Sequence, residues 1–221
     1  MAPRKTATAE ITISAPRFET IAVGIVGTSP YVQNKFSAKA RAQIKATQEA
    51  GPTARSARKR EPKDFVAEFE AAIHRSDDGW CGIPAPAFRN AMISACRIVG
   101  YAMTRAKLAF HVLADGFDAE DRTPLVKILE GEPVYFDKPV RNETGVADLR
   151  ARPLWNPGWR AIVSVRYDAD MFEREHVVNL LSRAGQQVGI GEGRPDSKKS
   201  NGQGWGLFDV EEVAAIERGE A

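Results

Sequence analysis

Six glycines, Gly189, Gly191, Gly193, Gly202, Gly204 and Gly206, flank a basic tip of Arg194, Lys198 and Lys199. What lies on either side of them limits the fold more than any other feature of the chain. A helical pattern carrying Val177, Val178, Leu180 and Leu181 on its inner face runs up to Gly185, and strand-forming residues return over 206–210. The order is helix, loop, strand. A phosphate-binding P-loop needs strand, loop, helix, with Gly-Lys-Ser or Gly-Lys-Thr at the helix start, and no such tripeptide occurs. A dinucleotide fingerprint fails for the same reason. What alternating glycine does permit is positive φ and close approach of a ligand to main-chain N–H groups.

The charge pattern points the same way. A net charge of +2 over 221 residues conceals a strong asymmetry. Residues 35–63 hold nine basic side chains against Glu49 and Glu61, a net of +7, and residues 209–221 carry a net of −4. Such a division is an electrostatic footprint for a polyanion, or for head-to-tail contact between copies. Residues 51–60, Gly-Pro-Thr-Ala-Arg-Ser-Ala-Arg-Lys-Arg, read as a basic loop rather than a packed helix face. No apolar run approaches the ~18–20 residues of a membrane span, and no apolar stretch follows the charged first residues. Two cysteines, Cys81 and Cys96, make neither a disulfide framework nor a zinc site, and fit a reducing, cytoplasmic setting.

The hydrophobic periodicity predicts strands over 10–15 and 19–27, helices over 37–49, 62–75 and 86–99, and strands over 107–114 and 134–140. A long connection rich in Pro, Gly and Arg is expected over 141–159, then the clearest strand at 160–167. Asp170-Met-Phe-Glu173 gives a capping-box-like start to the next helix, and residues 206–210 return as a strand. Without its insertions this order is a βαββαβ unit, the ferredoxin-like or RRM-like plait of the α+β class. The expected organisation is one domain over 1–221. It contains a basic helical, finger-like insertion at 28–80, a thumb-like connection at 141–159 and a glycine-rich loop at 188–206.

Two segments carry a resemblance. Gly-h-Gly, a basic stretch and Gly-h-Gly-h-Phe between the last helix and the last strand (Gly189 to Phe208) resemble the glycine-rich loop of the RAMP superfamily. That superfamily includes the large backbone subunits of CRISPR effector complexes. Residues 82–92, Gly-Ile-Pro-Ala-Pro-Ala-Phe-Arg-Asn-Ala-Met, resemble the Ile-Pro-Gly-Ser-Ser-Leu-Arg-Gly-Ala-Leu pattern that opens the first core helix in that superfamily. Arg89 holds the basic position, while Ala85 replaces the usual glycine and Asn90 the second small residue. The basic tip is long and the chain short for such a subunit, so a phage or mobile-element relative fits as well.

The resemblance implies a plait that binds single-stranded RNA or DNA and stacks side by side along it, with copies of itself and other effector-complex subunits as partners. The cationic candidates for phosphate contact are Lys35, Lys39, Arg41, Lys45, Arg55, Arg58, Lys59, Arg60, Arg89, Arg194, Lys198 and Lys199. Neutralising about four to six phosphates per copy gives a slope of log K on log salt of about −3 to −4. Base stacking would fall to Trp205, between two glycines, with Trp80, Trp155 and Trp159 as further candidates against a packing role for each.

Catalysis has thin support. His111 sits in a strand pattern and His176 beside Glu173 and Glu175 on a helix. His74 with Asp77 and Asp78 is the sole cluster resembling an acid/base or metal site, at a spacing that matches no ligand pattern. A nucleophilic Cys81 would need an adjacent base, which the sequence does not place. The expectation is a non-enzyme with no metal and no cofactor. The rivals are a RAMP-type endoribonuclease using Asp77, Asp78 or His74, and an assembly protein independent of nucleic acid.

Overall fold

The computed structural model describes residues 14–36, 38–49, 62–141, 145–197 and 202–213. It is an α+β protein in which helices cover one long antiparallel sheet and a smaller sheet stands beside it. The expected strand at 10–15 lies almost wholly outside the described residues.

The centre of the main sheet is β1 (Phe18–Gly27) against β9 (Arg160–Asp168), paired from Phe18↔Asp168 to Val26↔Arg160. Alternation explains both: Ile21, Val23 and Ile25 of β1, and Ala161, Val163 and Val165 of β9, are buried, with polar residues between them. On the far side of β1 lies β10 (Phe208–Glu211). The other edge of β9 is shared: β4 (Phe110–Val112) pairs with its end and β6 (Pro124–Glu130) with its beginning. β6 also carries β3 (Gly82–Pro84) and β5 (Gly116–Phe117). The smaller sheet runs β2 (Tyr31–Val32), β8 (Ala147–Trp155), β7 (Val134–Arg141).

Against the main sheet pack α3 (Ala85–Ile98) and α5 (Arg174–Arg183). Pro86 in the first turn of α3 suits a helix start, because its missing N–H is unsatisfied there anyway. Phe88, Met92, Ala95 and Cys96 of α3 and Val177, Leu180 and Leu181 of α5 are buried. Phe88 meets Phe208 of β10 edge-on, ring centroids 5.8 Å apart. α1 (Ala38–Glu49) and α2 (Phe65–Ala71) lie in the insertion after β1. The Asp64 carboxylate caps α2 by accepting from the Ala67 N–H at 3.0 Å. No helix among the described residues is long and apolar enough to cross a membrane.

Several expectations need correction. Residues 107–114 are not all strand: α4 (Met103–Ala109) precedes the short β4, because Ala, Met, Arg, Lys and Leu favour a helical turn. The segment at 141–159 is not a bare connection. Nearly half of it is β8, which forms an antiparallel ladder with β7 from Val134↔Leu154 to Arg141↔Ala147. Arg and Pro obscure that strand because it belongs to a small sheet with open positions. β3, β5 and β6 were not expected at all. After α5 the chain does not stop at Gly185 but continues as a π-helical turn, Ala184–Val188. The start of α5 is capped by Glu173 rather than Asp170, with His176 Nδ1 accepting from the Glu173 N–H at 3.4 Å.

Candidate nucleic-acid interface

The glycine-rich loop is a folded object. All six of its glycines have positive φ, between 67° and 81°. Two positions make glycine obligatory. A Cβ on Gly206 would lie 1.8 Å from the Ile190 carbonyl oxygen, and one on Gly191 would lie 2.6 Å from that of Val32 and 2.7 Å from the Tyr31 ring. The backbone explains the crowding. The Ile190 N–H donates to Gly206 O, the Gly206 N–H to Pro30 O and the Glu192 N–H to Val32 O, at 3.0, 2.7 and 2.9 Å. The loop is thus stitched to itself, to the turn between β1 and β2 at Pro30, and to β2 at Val32.

Beneath it runs a cleft of about 600 Å³. One wall is the loop from Val188 to Ser197; the opposite wall is α3, through Ala87, Asn90, Ala91 and Ser94. Tyr31, Gln33 and Asn34 close one side, Lys138 and Arg150 of the β7–β8 hairpin another, and His74 lies on the lining. The two segments that carry the resemblance, more than ninety residues apart in sequence, therefore line one space.

The charges beside this cleft are arranged rather than scattered: Lys138 and Glu192 line it, and their partner Arg152 is buried next to them. Lys138 Nζ is 2.9 Å from Glu192 Oε1, and Arg152 Nε is 2.9 Å from Glu192 Oε2. Arg152 also reaches Glu68 at 3.2 Å. Burial by itself would raise the Glu192 pKa, but the Lys138 hydrogen bond and the Arg152 charge outweigh it and the net shift is downward. Arg194 donates to the Gly191 carbonyl at 2.9 Å, and Asp196 pairs with Arg97 at 2.7 Å.

A second polar cluster sits at the neck of the basic insertion. Lys35 enters the insertion and His74 leaves it, and both meet Asp118, whose side chain is fully buried. Lys35 Nζ is 2.8 Å from Asp118 Oδ1, and His74 Nδ1 is 2.9 Å from Oδ2. The N–H groups of Glu120 and Asp121 donate to Oδ1 as well, at 2.9 and 3.2 Å. Desolvation alone would raise the Asp118 pKa; the Lys35, Glu120, His74 and Asp121 donors reverse it and bring it down to about 2. Burial lowers the His74 pKa despite the Asp118 carboxylate, so the ring is neutral at pH 7. His74, Asp118 and Asp121 each offer a ligand atom within 4.8 Å of the others. The Lys35 ammonium already stands on Asp118 where a cation would, which argues against a metal there.

The sequence candidates divide into groups. Arg194 lines the cleft. Lys35 is buried in the neck cluster and is not turned to a ligand. Arg41 pairs with Glu120 and Asp121, at 3.3 and 3.6 Å, and Lys45 is an exposed residue 3.9 Å from Glu49. Lys39 belongs to α1, its side chain outside the description. Arg55, Arg58, Lys59, Arg60, Lys198 and Lys199 lie outside the described residues. Arg89 donates to the Phe110 carbonyl at 2.9 Å and to that of Lys107, bracing α3 against the α4–β4 junction.

Among the tryptophans, Trp155 and Trp159 are fully buried and pack on Tyr31, so neither can stack on a base. Trp80 is half-buried beside Gly82 and Gly116. Trp205 is half-buried too: its ring covers Gly193, meets Phe136 edge-on at 5.7 Å, and has the Lys138 ammonium 4.9 Å from its centroid. It helps to seat the loop on the hairpin. Asp77, expected near His74, instead pairs with Arg122 at 2.6 Å on the surface. Lys138, Arg152, Glu192 and Asp118 were missed. Each acquires its role through a partner at least forty residues away, and no local pattern marks such a pairing.

No protein-family model matches this chain, and no curated protein matches it.

Proposed function

We propose that the protein is a non-catalytic single-stranded nucleic-acid-binding protein that packs side by side along RNA or DNA, as a filament or an effector-complex backbone. The observation that carries this reading is the cleft itself: the glycine-rich loop and the start of α3 line one space edged by Lys138, Arg150 and Arg194. Main chain rich in glycine allows a sugar–phosphate backbone to approach closely, and the cations supply affinity that is independent of sequence.

A ferredoxin-like plait is the core proposed for it. In support, β1, β4, β9 and β10 pair antiparallel so that β10 borders β1, β1 borders β9 and β9 borders β4. Helix α3 falls between the first and second of these in sequence and α5 between the third and fourth, the order expected of a βαββαβ unit.

The test is a fluorescence-anisotropy titration with oligonucleotides of increasing length at several salt concentrations. Stepwise occupancy with a slope of about −3 to −4 supports the reading. No binding at low salt discards it. Assembly that persists unchanged after nuclease treatment favours a purely structural assembly protein.

A metal-independent endoribonuclease is the second reading, and one observation favours it. His74 is oriented through Nδ1 by a buried carboxylate, is neutral at pH 7, and lines the cleft. Labelled RNA incubated with the protein, with and without a divalent-metal chelator, separates the two. Intact RNA after prolonged incubation removes this reading.

A further inference from the structure

The Glu192 carboxylate binds two cations with its two oxygens, one each, at 2.9 Å. Both cations are nearly withdrawn from water, with side chains 8% exposed for Lys138 and 6% for Arg152. Their positions are set by other contacts. The guanidinium of Arg152 is also held by Glu68 and by the Ala151 carbonyl, and the Lys138 ammonium rests over the Trp205 ring. Two fixed donors converging on the two oxygens of a singly charged anion is the arrangement that also suits the two non-bridging oxygens of a phosphodiester. We propose that Lys138 and Arg152 form a phosphodiester-binding subsite, and that Glu192 occupies it in the free protein. This rests on the nucleic-acid reading above and deepens it.

The exchange is chemically balanced. One anion of charge −1 leaves as another arrives, so neither buried cation is left unpaired, the step that would otherwise carry a heavy penalty. Glu192 needs only to turn its side chain toward solvent. Gly191 and Gly193 flank it with φ of 74° and 81°, while its N–H bond to Val32 keeps the main chain in place. The geometry also gives the carboxylate a function beyond packing. It competes with weak or non-specific anions for the subsite, and a strand that engages the rest of the cleft displaces it.

The experiment compares wild type with Glu192→Gln, with Glu192→Asp as the milder variant. In the first arm, melting temperature is followed with inorganic phosphate against chloride at equal ionic strength. The emptied subsite takes up phosphate, so Glu192→Gln gains about 3–6 °C at ten times its dissociation constant while wild type gains little. In the second arm, Glu192→Gln binds a single-stranded oligonucleotide about three- to tenfold more tightly than wild type, with a salt slope steeper by about 0.7. Adding Lys138→Met abolishes both gains. Phosphate rescue without oligonucleotide binding by either protein would keep the anion site and discard its nucleic-acid ligand. Unchanged or weaker oligonucleotide binding with no phosphate response would overturn the proposal and leave the nucleic-acid reading standing. Failure of both variants to fold at any phosphate concentration would also overturn it, because the carboxylate would then have no substitute.

Discussion

Lys35 and Asp118, eighty-three positions apart, form a buried ion pair of 2.8 Å that closes the neck of the basic insertion. Around it the Lys35 N–H donates to the Ala72 carbonyl, and the His74 N–H to Gln33 Oε1. The Gln33 amide in turn donates to the Gly82 carbonyl at 2.6 Å. Both ends of the insertion are thereby fixed to the strand that leads into α3, one wall of the cleft. Removing the carboxylate takes from the buried Lys35 ammonium its closer partner and leaves it only the half-exposed Glu120, at 3.2 Å. Asp118→Ala is expected to lower unfolding free energy by about 3–5 kcal/mol, read by urea denaturation at pH 7.5. A loss below about 1 kcal/mol would mean that Glu120 and the Gln33 and backbone bonds hold the neck without Asp118.

The same cluster makes stability depend on pH. The folded His74 has a lowered pKa, so between that value and about 6.5 the unfolded chain binds the extra proton. Its contribution is complete above about pH 6.5 and is lost as pH falls through the folded value. Asp118, with a folded pKa of about 2 against 3.8, adds a further loss below about pH 4. Urea midpoints for wild type should fall from pH 7.5 to pH 5.5, and His74→Gln should flatten that step. An unchanged step in the variant would assign it to other groups.

The loop's stitching gives a sharp comparison between two glycines of nearly equal φ. Gly206→Ala drives a Cβ into the Ile190 carbonyl, whereas a Cβ on Gly204 meets nothing within 4 Å. The first should cost about 3 kcal/mol or more and the second about 1 kcal/mol, its backbone strain alone. Thermal melting of the two variants side by side checks this. Equal losses would deny the close approach of residues 190 and 206.

Arg89 offers a test of brace against ligand contact. Its two carbonyl bonds predict that Arg89→Ala lowers stability by about 1–3 kcal/mol, and that lysine, which lacks the planar fork, restores little. The salt slope of oligonucleotide binding should not change. A slope shallower by about 0.7 would assign Arg89 a phosphate instead.

The sequence was most readable where periodicity and local chemistry coincide. Strands β1 and β9 alternate cleanly, α3 carries Pro86 in its first turn and has its apolar face marked, and the six glycines announce the positive φ they adopt. Strand β8 was hidden because Arg150, Arg152 and Pro153 carry no alternating apolar signal in a strand of a small sheet. Asp118 and Glu192 were beyond reach, since a lone carboxylate acquires meaning from the cations that tertiary folding brings to it. The three candidate tryptophans other than Trp80 all turned inward or against the loop, as large aromatic rings with much area to bury commonly do.

Photo-crosslinking tests the central claim most directly. A 4-thiouridine- or 4-thiothymidine-substituted single strand is bound at low salt, irradiated and digested, and the modified peptides are identified by mass spectrometry. The account predicts crosslinks concentrated in residues 188–197 on one wall and 86–94 on the other, both suppressed by excess unlabelled strand. Crosslinks confined to other surfaces, or none from a protein that also fails to retain the strand, would contradict it.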